Sequence, residues 1–391
     1  MSPIVTLGPM RGKLRVLLSD GSGLTARQVA TQLGAAGHEV HVVSPDPLCL
    51  ARWTRHVHRV HRVPPYGLDP FGWLDATIEV LRGGGFDVLF PTQEQVAVLS
   101  LESQRVHELG VDMAVPPFGA LRRVQDKLSA YRTLEELGLR QPRTRIAEST
   151  LDADDLPLYV KTPIGTATSG VQLVRNQAEL ERAARELGRP LLLQQPVDGT
   201  LIMVQSVFDR GRLIALHANE RTRVGANGGA TVKRSIDARP VEEDVTRLGG
   251  ELGWHGALSL DAVLTAHGPA WIDVNPRLVE PGNAWRAGVD LVEALLSLQR
   301  QRRGRAGVET RQLLIGLLGA KTRRAVLREL RQRGEEELTP RRGDPLAVVP
   351  VAAVTVAMLV HPGLGGRFAG GAVANYALTP QAWEAIVASR E

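Results

Sequence analysis

The sequence predicts an α/β fold in three parts: a first domain on a parallel sheet, a second of mixed α+β character, and a C-terminal extension. Three observations carry this expectation. Short apolar runs alternate with helix-spaced segments at the start of the chain, later apolar runs face each other across tight turns, and the composition changes at residue 300. At about 150 residues per domain, 391 residues allow two to three domains. A make-up of 43% hydrophobic and 23% charged residues excludes a wholly disordered chain.

Residues 14–18 are the first apolar run, punctuated by Ser19-Asp20-Gly21-Ser22-Gly23, and residues 24–36 have helical spacing up to Gly37. Residues 38–43 read as a second strand, residues 71–82 as a helix, and residues 87–90 as a strand before the turn Pro91-Thr92. Strands alternating with helices in this way make a parallel sheet covered on both faces. Pro116-Pro117 closes the region, and a helix is predicted over residues 118–137, stopped by Gly138. Residues 158–161 and 171–174 read as two strands joined by a Gly/Thr/Ser loop. Residues 191–195 and 203–208 are further strands, with Asp209-Arg210-Gly211 as a hairpin turn into residues 212–217. Residues 257–264 and 270–274 pair across Thr265-Ala266-His267-Gly268.

The tail is different. Residues 300–342 hold 13 Lys/Arg against 5 Glu and read as mostly helical, with the charge on a solvated face. Residues 346–360 are uncharged and interrupted by Pro350, short of the roughly 20 residues a membrane span needs, which predicts a buried strand or helix. A single cysteine, Cys49, excludes an internal disulfide and any all-cysteine metal site. That cysteine usage and the lack of a signal-like apolar stretch in MSPIVTLGPMRGKLRV predict a cytoplasmic protein. Aromatic residues make up only 4%, poor material for stacking on bases, so nucleic acid is not an expected partner.

Three constellations carry chemistry. Gly21-Ser22-Gly23-Leu24-Thr25-Ala26 fits a loose dinucleotide fingerprint, but no acid ends the second strand, where Val43 is followed by Ser44-Pro45. A tight turn, with or without a substrate contact, explains the same glycines. In the second, residues 159–171, Lys161 ends a strand ahead of Gly165, Thr166, Ser169 and Gly170. Such a loop offers backbone N–H groups to phosphate oxygens, with the lysine as a point charge beside them. A hairpin with a surface lysine is the rival reading. The third places Asp261 on one strand and Asp273 on the next, with Asn275 two residues further on the same face. Hard oxygen ligands of this kind suit Mg2+, and Arg277 continues the face as a fork for a phosphoryl or carboxylate group.

Taken in order, these segments resemble the ATP-grasp superfamily. The resemblance runs over about residues 13–300 and includes a helix opening at Asp126-Lys127 and the hinge-like run Leu192-Leu193-Gln194-Gln195-Pro196-Val197-Asp198-Gly199. It implies a pre-ATP-grasp domain at 1–117, an ATP-grasp domain at 118–300 with a mobile lid at about 142–196, and an extension at 301–391. It also implies ATP and Mg2+. Lys127 and Lys161 would meet the ATP phosphates, and Gly165, Thr166, Ser169 and Gly170 would close over them. Gln194, Gln195 and Val197 would form the adenine hinge, and Asp261, Asp273 and Asn275 would hold the metal. Arg277 would lie near the transferred phosphoryl group. Asn219-Glu220-Arg221-Thr222-Arg223 with Gly228-Gly229 resembles the substrate side of carboxylate–amine ligases, and alternation places Arg221 and Arg223 on one face as a carboxylate clamp.

This chain departs from the family's pattern at three points. Glutamines stand at 194 and 195 where many members have Glu, and Thr200 lacks a ribose-binding Glu nearby. Asp replaces the commoner Glu at 261 and 273, and Val279-Glu280-Pro281-Gly282 lacks the Glu-His pair of the biotin-carboxylase branch.

The expected activity is an ATP- and Mg2+-dependent joining of a carboxylate, activated as an acyl phosphate, to an amine such as an amino acid. The partners are then the small-molecule carboxylate and amine, with no membrane span, and a homodimer stays open as the assembly. A non-catalytic nucleotide-binding protein and a nicotinamide-dependent oxidoreductase are the alternatives. No G-x-S-x-G or triad pattern points to a hydrolase. His56 and His58 share a strand face with His61 on the other, and the interleaved arginines disfavour a cation there.

Overall fold

The computed structural model describes residues 12–148, 156–166, 170–225, 229–301, 303–332, 336–338, 343–362 and 364–390. Four parallel strands, β1 (Arg15–Leu18), β2 (Glu39–Ser44), β3 (Val57–Arg62) and β4 (Val88–Phe90), form the first sheet in the order β3-β2-β1-β4. α1 (Leu24–Ala35) packs Val29, Ala30 and Leu33 against it. α2 (Pro70–Gly84) starts where Asp69 accepts from the Gly72 N–H and stops at Gly85, whose φ of 59° only glycine adopts cheaply. The predicted parallel α/β arrangement is the observed one.

The long helix predicted over residues 118–137 is two: Phe118–Arg122 and Lys127–Glu136. Asp126 causes the break, because its carboxylate accepts from the Leu128 and Ser129 N–H groups and so opens a new helix. Lys127 is thereby the first residue of a helix.

A small antiparallel sheet follows, β5 (Thr144–Ala147), β6 (Leu158–Lys161), β7 (Val171–Val174) and β8 (Leu191–Gln194), ordered β5-β8-β6-β7. The helix Gln177–Leu187 covers it through Leu180, Ala183 and Ala184. The third sheet is β9 (Thr200–Asp209), β10 (Arg212–Val224), β11 (Ala230–Ile236), β12 (Gly256–Thr265), β13 (Gly268–Asn275), β14 (Glu309–Arg311) and β15 (Glu336–Glu337), ordered β13-β12-β9-β10-β11-β14-β15. Arg210 and Gly211, at φ 48° and 86°, make the predicted hairpin turn between β9 and β10.

Two expectations for the tail need correction. Among its described residues the arginine-rich segment is not mostly helical: β14 and β15 extend the large sheet, and the helices there are Leu313–Gly319 and Arg323–Arg331. In the second of these Val326 is buried while Arg323, Arg324, Arg328 and Arg331 face solvent, as a solvated basic face requires. The uncharged stretch does form a helix, Val348–Val360, but only its Val351 and Met358 are buried, and Val356 is 62% exposed. Its apolar residues surround the helix on all sides, and the two short helices packed on it cover one stripe. Among the described residues no helix is long and apolar enough to cross a membrane. The chain then returns to the first sheet, where Leu378, Ala382 and Ile386 join the main core.

The strand β3 starts at Val57, so His56 is not on it. Between β2 and β3 the register runs Val40↔Val57 and then His41↔Arg59, which makes His58 the extra residue of a bulge. Strict alternation, which would place His58 and His61 on opposite faces, therefore fails here.

Candidate active site

Strand register assembles the site. Asp261 on β12 is the direct cross-strand partner of Asp273 on β13, and Ser259 that of Asn275. The same row continues from Asp261 to Met203 on β9, Asn219 on β10 and Ser235 on β11, while one step further along Arg221 pairs with Lys233. Partners in an antiparallel ladder project from one face. One face of the large sheet therefore carries two carboxylates at one end and two cations at the other.

The charges around this row are specific. Lys127 Nζ lies 3.5 Å from Asp273 Oδ1, and Arg221 Nη2 lies 3.0 Å from Asp261 Oδ1. Burial pushes the Asp261 carboxyl above its ordinary range, with Arg221 opposing the shift. Lys161, at the end of β6, brings the small sheet onto the large one. Its Nζ donates to Gln194 Oε1 at 2.7 Å and to the Ile272 carbonyl at 2.8 Å, one residue from Asp273. Burial lowers the Lys161 ammonium to about 8, although Asp273 favours its charge. Gln194 also donates to Thr144 Oγ1, and the Gln195 N–H to the Arg143 carbonyl, so this run prolongs the β5–β8 ladder towards the half-buried Val197.

In the loop after β6, Thr166 is buried with its hydroxyl 3.5 Å from Glu94, beside the half-buried Gly165. Gly170, at φ 74°, accepts from the Thr162 N–H, and a side chain there would collide with the Thr162 hydroxyl. Ser169 and Gly228 lie outside the described residues.

Arg277 is buried and held by a residue the sequence reading missed. Its Nε and Nη2 both donate to Glu94 Oε1, at 3.1 and 3.0 Å, leaving Nη1 only a 3.5 Å contact with the Leu278 carbonyl. Glu94 follows β4, and ligand sites in parallel sheets gather outside the carboxyl ends of the strands. That signal is present in the sequence. Also missed is the pair Lys233–Glu280, with Lys233 Nζ 2.6 Å from Glu280 Oε2 and Gln312 donating to the same oxygen at 2.5 Å. Burial works to raise the Glu280 carboxyl, but the Lys233 ammonium outweighs it and holds the group below its usual range. Lys233 is one of only five lysines in the chain, and that scarcity is the hint.

Two readings change. Arg221 and Arg223 do not converge: the β10–β11 register shifts between them, and Arg223 turns to Gln332 while Arg221 meets Asp261. The glycine turn at Gly21–Gly23 does not present its N–H groups outward. Those of Ser22 and Gly23 donate to buried Asp20 at 2.8 and 3.1 Å, and a side chain on Gly21 would come within 2.7 Å of Cys49 Sγ. Packing explains these glycines without a pyrophosphate.

Residues 124–281, which enclose Lys127, Lys161, Asp261, Asp273, Asn275 and Arg277, match the family model of the ATP-grasp domain. Residues 124–281 are an ATP-grasp domain. The chain is 26% identical over 306 residues to the probable alpha-L-glutamate ligase of Thioalkalivibrio sulfidiphilus, covering 74% of this chain and 95% of that one. Over 193 residues it is 24% identical to the carbamoyl phosphate synthase large chain of Thermus thermophilus, covering 44% of this chain and 19% of that one. The aligned part is thus about a fifth of that larger relative. Among solved structures, the L-amino acid ligase from Bacillus licheniformis has the same ATP-grasp fold. It superposes with a TM-score of 0.57 at 17% identity, over 73% of this chain and 74% of that one.

Proposed function

We propose that this chain is an ATP- and Mg2+-dependent ligase that joins a small carboxylate to an amine, one of the two being an amino acid. The observation that carries the reading is the charge layout on one sheet face. Asp261 and Asp273 stand opposite each other, with Lys127 and Lys161 on the β13 side, Arg221 and Lys233 on the far strands β10 and β11, and Arg277 just past the end of β13. The relatives named as glutamate and L-amino acid ligases support an amino acid as one substrate.

The residues fit the metal the family uses. Lys127 and Arg221 already sit at the Asp273 and Asp261 oxygens, so this spot draws positive charge, and its donors are the hard oxygens that Mg2+ prefers. Mg2+ held by Asp261, Asp273 and Asn275 would neutralise phosphate charge. Lys127 and Lys161 bind and orient the phosphates. Gln194 offers Lys161 a neutral amide oxygen where a carboxylate would have cancelled its charge, leaving that charge for phosphate.

On the substrate side, Glu94 positions Arg277 so that its Nη1 edge faces the incoming group. A carboxylate oxygen attacks the γ-phosphorus, the bond from that phosphorus to the ADP oxygen breaks, and ADP leaves. The amine then attacks the acyl carbon, the carbon–oxygen bond breaks, and phosphate departs with the electron pair as the amine gives up a proton. Little covalent work falls to the protein, so orientation and charge neutralisation carry the rate. The test is whether ADP is released over many turnovers only when a carboxylate and an amine are present together.

The Lys161 environment adds a pH dependence. With its ammonium lowered to about 8 by burial, the nucleotide-free protein loses this charge as pH rises through that value. ATP affinity should therefore fall between about pH 7 and about pH 9 in calorimetric titrations. Lys161→Arg, whose guanidinium stays charged, should flatten the profile. An affinity that does not change over this range would remove Lys161 from the phosphate contacts.

A further inference from the structure

We propose that Glu39, His41 and His58, on β2 and β3 of the parallel sheet, form a Zn2+ site distinct from the acidic row of the large sheet. Among the described residues this is the one group of three His, Cys, Asp or Glu side chains whose ligand atoms all lie within 4.8 Å of one another. The bulge in β3 creates it. By inserting His58 as an unpaired residue just before Arg59, the partner of His41, it brings the His58 ring within 5.2 Å of the His41 ring, with Glu39 two residues before His41 on the same face of β2. Bulges of this kind re-aim a side chain that regular pairing would send elsewhere.

The surroundings of His41 match those of a metal-binding imidazole. It is 1% exposed, edge-on to the Phe86 ring at 5.0 Å, and stacked on His61 at 5.1 Å. Its Nδ1 lies 2.8 Å from His61 Nε2, and its Nε2 lies 3.1 Å from Glu39 Oε1. A ligating histidine typically donates its second ring N–H to an outer partner, which fixes the tautomer and aims the other nitrogen at the ion. His61 is that partner here, and the remaining nitrogen of His41 is the one beside Glu39.

Two imidazoles and a carboxylate, with water in the fourth position, are an established zinc ligand set. They differ in kind from the oxygen-only donors that suit Mg2+. Two cations now touch Glu39, Lys13 Nζ at 3.6 Å and Arg15 Nε at 3.1 Å. Both side chains are more than a third exposed, and exposed ion pairs of this sort are weak enough for a divalent ion to displace.

The test uses the full chain without an affinity tag, stripped with a chelator. Zn2+ is titrated by calorimetry, and Co2+ by its visible absorption. One equivalent should bind, with a tetrahedral Co2+ spectrum. His58→Ala, at an exposed position where folding is not at stake, should abolish that saturable binding. His61→Ala should weaken it by roughly 10- to 100-fold, the usual cost of losing an outer partner. Absence of a saturable site in the wild type would overturn the proposal. So would a His58→Ala protein that binds Zn2+ as tightly as the wild type. Neither readout depends on the ligase reading.

Discussion

Asp273→Asn should cut ATP turnover on the order of a hundred- to a thousand-fold, the scale on which one lost electrostatic contact to the reacting group acts. Asp273 pairs with Asp261 across the β12–β13 ladder, and its side chain is 27% exposed, so an isosteric amide removes a charge and no packing. The amide oxygen can still accept from the Val274 N–H, which Asp273 Oδ1 meets at 3.1 Å. The melting temperature should stay within a few degrees of the wild type while ADP production collapses. Near-normal ADP production in a folded Asp273→Asn protein would show that Asp261, Asp273 and Asn275 do not hold the metal.

The second large effect concerns Arg277, and the structure dictates which substitution is informative. Arg277→Ala would strand Glu94, because the two are buried and paired through Nε and Nη2. Breaking a buried pair from one side costs about 3–5 kcal/mol, so loss of activity in that variant would report stability as much as chemistry. Arg277→Lys keeps a cation beside Glu94 but loses the planar fork. A contact from an arginine to an ionised group contributes about 1.5–3 kcal/mol in net terms, and more is lost in a closed, dry site. Substrate-dependent ADP release should therefore fall by about ten- to a hundred-fold or more in Arg277→Lys, while calorimetric ATP affinity stays within a few-fold. The double variant Arg277→Ala/Glu94→Gln removes both charges and should show the same split. A parallel loss of ATP affinity and turnover would place Arg277 on the nucleotide alone.

What could be read from the sequence, and what could not, follows from the range of the forces involved. The approach of Asp261 to Asp273 is legible because both strands and their turn lie within one short stretch. The direct pairing is not: the turn's register alone would set Asp261 against Ile272, and a bulge between Asp261 and Ala262 shifts it to Asp273. The lid-like pair β6 and β7 is legible for the same reason, with Lys161 opposite Val171. The position of Glu94 after β4 is legible, but its pairing with Arg277 is not, because the two stand 183 residues apart and no local pattern links them. Lys233 and Glu280 are hidden likewise, 47 residues apart and joined only when the chain after β13 folds back over β11.

Local chemistry also overrode periodicity. Asp126 caps a helix inside a continuous helical pattern, and the bulge at His58 reverses the faces that strict alternation assigns. The apolar helix Val348–Val360 shows a different limit. Hydropathy says what a segment prefers to bury, but burial also depends on how much neighbouring structure is there to cover it.

The most direct test of the central claim is a pairwise screen of carboxylic acids against amines and amino acids, following ADP and condensed product together. The ligase account predicts sustained ADP turnover only in wells that contain ATP, Mg2+, one carboxylate and one amine, with one product molecule formed for each ADP. Asp273→Asn should abolish the signal in the same wells. ADP released equally with no organic substrate present would contradict the account, as would tight ATP binding with no turnover for any pair.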